Sequence, residues 1–183
     1  MKPKHPFEFI TPSSRKSGFY LSLIFTLGVM VALNTIDTHL KSSAAPNGIL
    51  SFEFSGTIAN ARAILGSWGE KGQVYAGLSL GIDYLFLVLY PFTIGLACVL
   101  TGEKLSNRLP FLQSTGPLLA WGLIIAGVMD SVENYALIKI LSGAPGEFPV
   151  LTAMYCASIK FTLVGLGLLY IISGTITGFF IKR

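Results

Sequence analysis

From about Pro117 to Leu141 the chain stays apolar for long enough to cross a bilayer, yet that run holds Asp130, Glu133 and Asn134. The i, i+3, i+4 spacing sends all three side chains from one face of a helix. On the insertion scale a central acid costs about 2.5–3.5 kcal/mol, and each Leu, Ile, Phe or Val returns about 0.3–0.6 kcal/mol. About ten such residues only offset two acids, so this helix needs polar partners on its neighbours.

With 183 residues, 52% hydrophobic and 12% charged, the sequence reads as an integral membrane protein. The expected fold is all-α: a four-helix transmembrane bundle with one short interfacial helix in its first outer loop. A tail over 1–17 precedes a single membrane domain over 18–181, with spans at about 18–37, 74–101, 117–141 and 149–181. The apolar core of the first span exceeds the roughly 7–15 residues of a signal peptide, which favours an uncleaved span. In the tail, Phe7, Phe9 and Ile10 are placed to touch the membrane interface.

The net charge of +4 matters less than its placement. Lys2, Lys4, Arg15, Lys16, Lys104, Arg108, Lys182 and Arg183 fall in three segments that share one side. By the positive-inside rule that side is cytoplasmic, with both termini inside a multi-pass protein of the inner (plasma) membrane. These residues flank spans and form no dense patch, so no nucleic-acid partner is expected.

Residues 38–73 form the longest segment outside the bilayer. Pro46, Asn47 and Gly48 break the chain, and then Leu50, Phe52 and Phe54 alternate with Ser51 and Glu53. Ser55-Gly56-Thr57 offers an N-cap to a helix over about 57–68. Its apolar face is Ile58, Ala61, Ile64, Leu65 and Trp68, opposite Asn60, Arg62 and Ser67. Such a helix lies in the outer interface with Trp68 at headgroup depth, either sealing the bundle or forming a lid over an outward pocket.

Within the spans, Pro91 follows Asp83 by two turns and predicts a kink, and 101–116 is expected to be a cytoplasmic loop, after which Pro117 opens the third span. Ser142 to Gly146 forms a short outer turn. Gly174-x-x-x-Gly178 allows close helix contact within the chain or between copies, so a homo-oligomer stays open. Cys98 and Cys156 lie near opposite ends of their spans, beyond the reach of about 7 Å that a disulfide needs, and read as buried apolar fillers.

Counted inward at about 1.5 Å per residue, Asp83, Glu133, Asn134 and Lys160 reach similar depths in the outer half of the bilayer. Asp130 is one turn deeper, and Asn34 and Asp37 close the first span near the same side. Three acids against Lys160 cannot sit dry in hydrocarbon; a carboxyl must be protonated, a cation present, or water admitted. The candidate ligand-binding residues are therefore Ser79, Asp83, Tyr90, Asp130, Glu133, Asn134 and Lys160. Ser79, Phe86 and Tyr90 share the face of Asp83, and Cys156, Ala157 and Val164 share that of Lys160. Tyr84, Tyr135 and Tyr155 have hydroxyls able to join, whereas Lys139 snorkels to the surface.

Three stretches together resemble a group of small bacterial four-span membrane proteins. They are Phe52 to Thr57 with Ala63, Ile64, Leu65 and Trp68, then Asp83-Tyr84-Leu85-Phe86, then Asp130 to Asn134. The likeness covers most of residues 50–165 and implies a shared site without supplying a reaction. The layout is also similar to the sterol-isomerase and sigma-2-receptor type of four-helix protein, where intramembrane acids face an amine or a carbocation. The histidine of the isomerase members has no counterpart here, which argues against isomerase chemistry.

His5 and His39 are the only histidines, and both lie outside the spans. That excludes a bis-histidine haem in the bundle and argues against a histidine-bound zinc. No P-loop, Rossmann fingerprint or nucleophile elbow is present, and no cofactor is expected. The acids could hold a hard cation, but the Asp-rich repeats of intramembrane transferases are missing. The favoured reading, leaning away from an enzyme, is a protein that binds or transports a cationic or amphiphilic small molecule, or protons, in contact with membrane lipid. The alternatives are a structural or assembly subunit, and a membrane enzyme with Asp130 or Glu133 as general acid/base.

Overall fold

A computed structural model of the chain describes residues 4–105, 110–143 and 146–180. Lys2, Arg108, Lys182 and Arg183 of the basic segments, and Ala144 and Pro145 of the expected turn, lie outside the described residues. The elements are α1 (Arg15–Asp37), a 3-10 turn (Thr38–Leu40), α2 (Ile49–Glu53), α3 (Ile58–Leu105), α4 (Pro110–Leu141) and α5 (Glu147–Phe180). Among the described residues there is no strand, and four segments are long and apolar enough to cross a membrane. These are Arg15–Leu40, Ile58–Leu105, Ser114–Leu141 and Glu147–Gly178.

Several expectations change at the helix ends. Most of the loop expected over 101–116 is helical, since α3 runs to Leu105 and α4 starts at Pro110. Pro117 therefore lies inside α4 rather than at its start. Helical torsions continue through Pro91, and the break in α3 falls at Gly69 (φ 58°, ψ −171°). That break separates a first arm over 58–68 from a long second arm. Within the alternating stretch Leu50–Phe54, to which the sequence assigned no element, 49–53 forms a helical turn that buries Phe52 and Glu53 together.

Contacts divide the chain into two compact units, one comprising 1–26, 88–127 and 160–183, the other 27–87 and 128–159. In the first, Phe7, Leu96, Val99 and Ala120 form a buried cluster, with Ile10, Phe19, Phe92, Leu100 and Ile124 around it. Phe7 is only 2% exposed and meets the Phe92 ring edge-on at 5.2 Å, while Phe9 is 76% exposed. The tail thus inserts one aromatic into protein, a difference from the interfacial contact expected of both. Polar groups pair across helices: the Arg15 guanidinium binds Glu103, and the Thr26 and Thr93 hydroxyls share a hydrogen bond of 2.9 Å. Gly174 lets α5 come so close to α3 that a Cβ there would collide with the Thr101 methyl. This close contact of the Gly174-x-x-x-Gly178 stretch lies within the chain.

In the second unit the core joins Leu40, Phe52, Ala61, Ile64, Trp68, Ala76, Leu80, Leu137, Ile140 and Val150. The apolar face expected of 57–68 is the face that is buried, and Asn60, Arg62 and Ser67 are exposed. Thr57 caps this arm through its hydroxyl oxygen, which accepts from the Asn60 N–H at 3.1 Å. Trp68 corrects the headgroup expectation: its ring is buried, edge-on to Phe52 at 5.2 Å, and its Nε1–H donates to the Leu40 carbonyl at 2.6 Å. An indole N–H inside protein needs such an acceptor, and the bond ties the arm to the connector that follows α1. Cys98 in the first unit and Cys156 in the second are buried thiols that form no disulfide.

Candidate functional site

A partly open pocket of about 260 Å³ lies wholly within the second unit. The end of α1 supplies Asn34 and Asp37, which share a helix face by their i, i+3 spacing. The connector supplies Asn47 and, one helical turn apart, Ile49 and Glu53 of α2. From α3 come Ser79 and Asp83 at i, i+4, with Leu80 beside them, and from α4 comes Asn134. Leu33 and Leu50 complete the apolar part of the wall. Three carboxyl groups and three amides therefore face one space, and among the described residues no lysine or arginine lines it.

Two of the carboxyls are held by donors. Asn134 Nδ2 donates to Asp83 Oδ2 at 2.7 Å, joining α4 to α3. The Ile49 N–H donates to Asp37 Oδ1 at 2.7 Å, joining the connector to the end of α1. Charge-assisted bonds of this kind fix an acid's orientation as well as stabilise it. Gly48 makes the second possible. Its torsions (φ 58°, ψ −129°) suit glycine alone, and a Cβ at that position would overlap the Asp37 carboxylate.

The expected site residues divide as follows. Ser79, Asp83 and Asn134 converge on the pocket. Asp130 and Glu133 are buried in the second unit, at 2% and 0% exposure, but do not line it. Successive residues on a helix point about 100° apart, so Glu133 cannot share the direction of Asn134. Tyr90 and Lys160 belong to the first unit, where both are buried; Lys160 Nζ lies 4.8 Å from the centre of the Phe161 ring. Tyr135 and Tyr155 are exposed, and the Tyr84 hydroxyl makes only a long contact of 3.5 Å to the Ser131 carbonyl. Lys139 is exposed with its Nζ 5.5 Å from the Tyr135 ring centre, as expected of a lysine that snorkels.

Sequence reasoning placed Asp37 near the site but left out Glu53 and Asn47. The available signal was Glu53 itself, an acid between two phenylalanines directly after a chain break, where an exposed loop has no use for the aromatics. Among the described residues no three His, Cys, Asp or Glu side chains converge as a metal-ligand set. The carboxyls around the pocket are spread over its wall, a geometry for a ligand larger than a bare ion. Compared with protein-family models, with curated proteins and with solved structures, the chain finds no match in any of the three.

Proposed function

We propose that the chain is a multi-pass protein of the plasma membrane with both termini cytoplasmic, and that the pocket of its second unit binds a small cationic or amphiphilic molecule. The observation that supports this is the gathering of Asp37, Glu53 and Asp83 on one pocket whose lining, among the described residues, includes no lysine or arginine. Negative charge gathered in a partly desolvated space is costly unless a positive partner answers it. An ammonium group supplies that charge and also donates hydrogen bonds to the spread carboxyls. Leu33, Ile49, Leu50 and Leu80 offer the hydrocarbon part of a ligand an apolar surface. A volume of 260 Å³ equals that of about nine waters at their liquid density, which limits the ligand to a compact amine or to the head of a larger amphiphile.

The test is thermal unfolding of the purified protein in mild detergent with a panel of small organic amines and their neutral isosteres. A bound amine at a hundred times its Kd stabilises by about 2.7 kcal/mol, and the isostere does not. Asp83→Asn lowers amine affinity about tenfold to a hundredfold, because it removes the charge while keeping the shape. Equal stabilisation by amine and isostere refutes the reading.

A further inference from the structure

We propose a second site, in the first unit: a groove between α1, α3 and α5 that holds an anionic phospholipid, headgroup at one end and acyl chain at the other. The inference rests on the membrane reading above but not on the acidic pocket. The groove has a volume of about 770 Å³ and is bounded by residues of the first unit alone. That volume falls in the range of sites that take a sizeable organic ligand.

Its two ends differ in chemistry. Lys16 on α1 and Lys104 on α3 stand at one end. The Arg15–Glu103 ion pair sets those two helix ends side by side, and Arg15 thereby answers the single acid lining the groove. Among the described residues neither Lys16 nor Lys104 makes an ion pair, so two ammonium groups remain to face an anion. Lys104 lies along α5, its Nζ 3.6 Å from where a Gly178 Cβ would be, an ordinary van der Waals distance.

Beyond the lysines the lining is mainly apolar, with the Tyr20, Thr101 and Thr175 hydroxyls as its other polar groups. Ala97 lies seven residues before Lys104, about 10 Å along the helix, with Leu100 between them. Phe19 is one turn past Lys16, and Phe19 and Leu100 pack against the same buried cluster. On α5, Ile171 and Thr175 share a face, and the Thr175 hydroxyl donates to the Ile171 carbonyl at 2.7 Å. That internal bond hides the hydroxyl's proton and leaves the wall fit for hydrocarbon. Ammonium groups at one end of a groove and apolar side chains at the other, about 10 Å away, match a phosphodiester joined to an acyl chain. A free phosphate would leave the apolar part unfilled.

The experiment uses the full chain in vesicles of equal phosphatidylglycerol and phosphatidylcholine, with retained lipid counted by native mass spectrometry. The wild type keeps phosphatidylglycerol preferentially. One lysine near a headgroup contributes about fivefold, so Lys16→Gln with Lys104→Gln lowers the preference by about 25-fold. The paired changes Lys16→Arg and Lys104→Arg preserve it, as does Lys139→Gln, a control remote in sequence and in the other unit. Ala97→Phe, which fills the apolar end at constant charge, reduces retention of the lipid. An unchanged preference in the double glutamine variant overturns the assignment, as does an equal loss in Lys139→Gln. Displacement of the lipid by inorganic phosphate overturns the choice of a lipid ligand. Release of the wild type from vesicles by alkaline carbonate would instead refute the membrane reading itself.

Discussion

Gly48→Ala probes how the connector wall of the acidic pocket is held. The substitution forces alanine into φ 58°, ψ −129°, and strain of this kind costs about 1–3 kcal/mol. The new Cβ also occupies the space of the Asp37 carboxylate, which must swing away and release the Ile49 N–H. Losing a hydrogen bond to a charged acceptor costs about 1.5–3 kcal/mol more. The total, about 2.5–6 kcal/mol, is a large share of the 5–15 kcal/mol that typically holds a domain together. In an Asp37→Ala background the bond is already gone, and Gly48→Ala should cost only the backbone strain of about 1–3 kcal/mol. The two changes are thus expected to be non-additive by about 1.5–3 kcal/mol. Unfolding in mixed detergent micelles, followed by fluorescence in a Trp121→Phe background, reads this locally, because Trp68 then remains as the sole tryptophan and lies in the same unit. Strictly additive costs would show that Asp37 and Gly48 act independently and would refute the coupling.

Three further outcomes follow from the packing. Trp68→Phe keeps an aromatic beside Phe52 but leaves the Leu40 carbonyl without its donor, a loss of about 1–3 kcal/mol measurable by thermal unfolding followed by circular dichroism. Gly174→Ala drives a methyl into Thr101 and should cost about 1–3 kcal/mol; Thr101→Ser, which removes the opposing methyl, should recover part of it. His5 is held below its usual pKa by burial first and by Arg15 second, and its Nδ1 accepts the Phe7 N–H at 3.1 Å. The unfolded chain therefore takes up the proton more readily: the contribution of His5 is complete above the unfolded value of 6.5 and is lost as pH falls below it. The protection of amides in residues 7–10 against exchange, taken relative to the intrinsic rate at each pH, should fall between pH 7.5 and 5.5, and His5→Gln should remove that fall.

The long helices were legible because apolar runs of that length, long enough to cross a membrane, satisfy their own backbone groups as helices. Ser79, Asp83 and Asn134 were legible for the related reason that an isolated polar group in such a run must meet another. Trp68 and Phe7 were misread because an aromatic in a polar segment fits membrane contact and protein burial equally well. Which applies depends on partners such as Leu40 or Phe92, 28 and 85 residues away, that no local pattern reveals. Asp130 and Glu133 were grouped with Asn134 by spacing, yet i, i+3 and i+4 span a wide arc of the helix, and only Asn134 reaches the pocket. Glu53 escaped because alternation over five residues gave it no partner, whereas the turn of helix after Gly48 sets it one turn from Ile49 on the pocket wall.

One wall of the acidic pocket is a short connector, residues 47–53 with the single helical turn α2, rather than one of the long helices. A guest that touches Asp83 and Glu53 together therefore clamps that loop onto the longer helices, and by reciprocity anything that loosens the loop must loosen the guest by the same factor. Protease cleavage at the exposed Asn47 should then slow in proportion to occupancy, making the peptide bond itself a gauge of whether the chamber is filled.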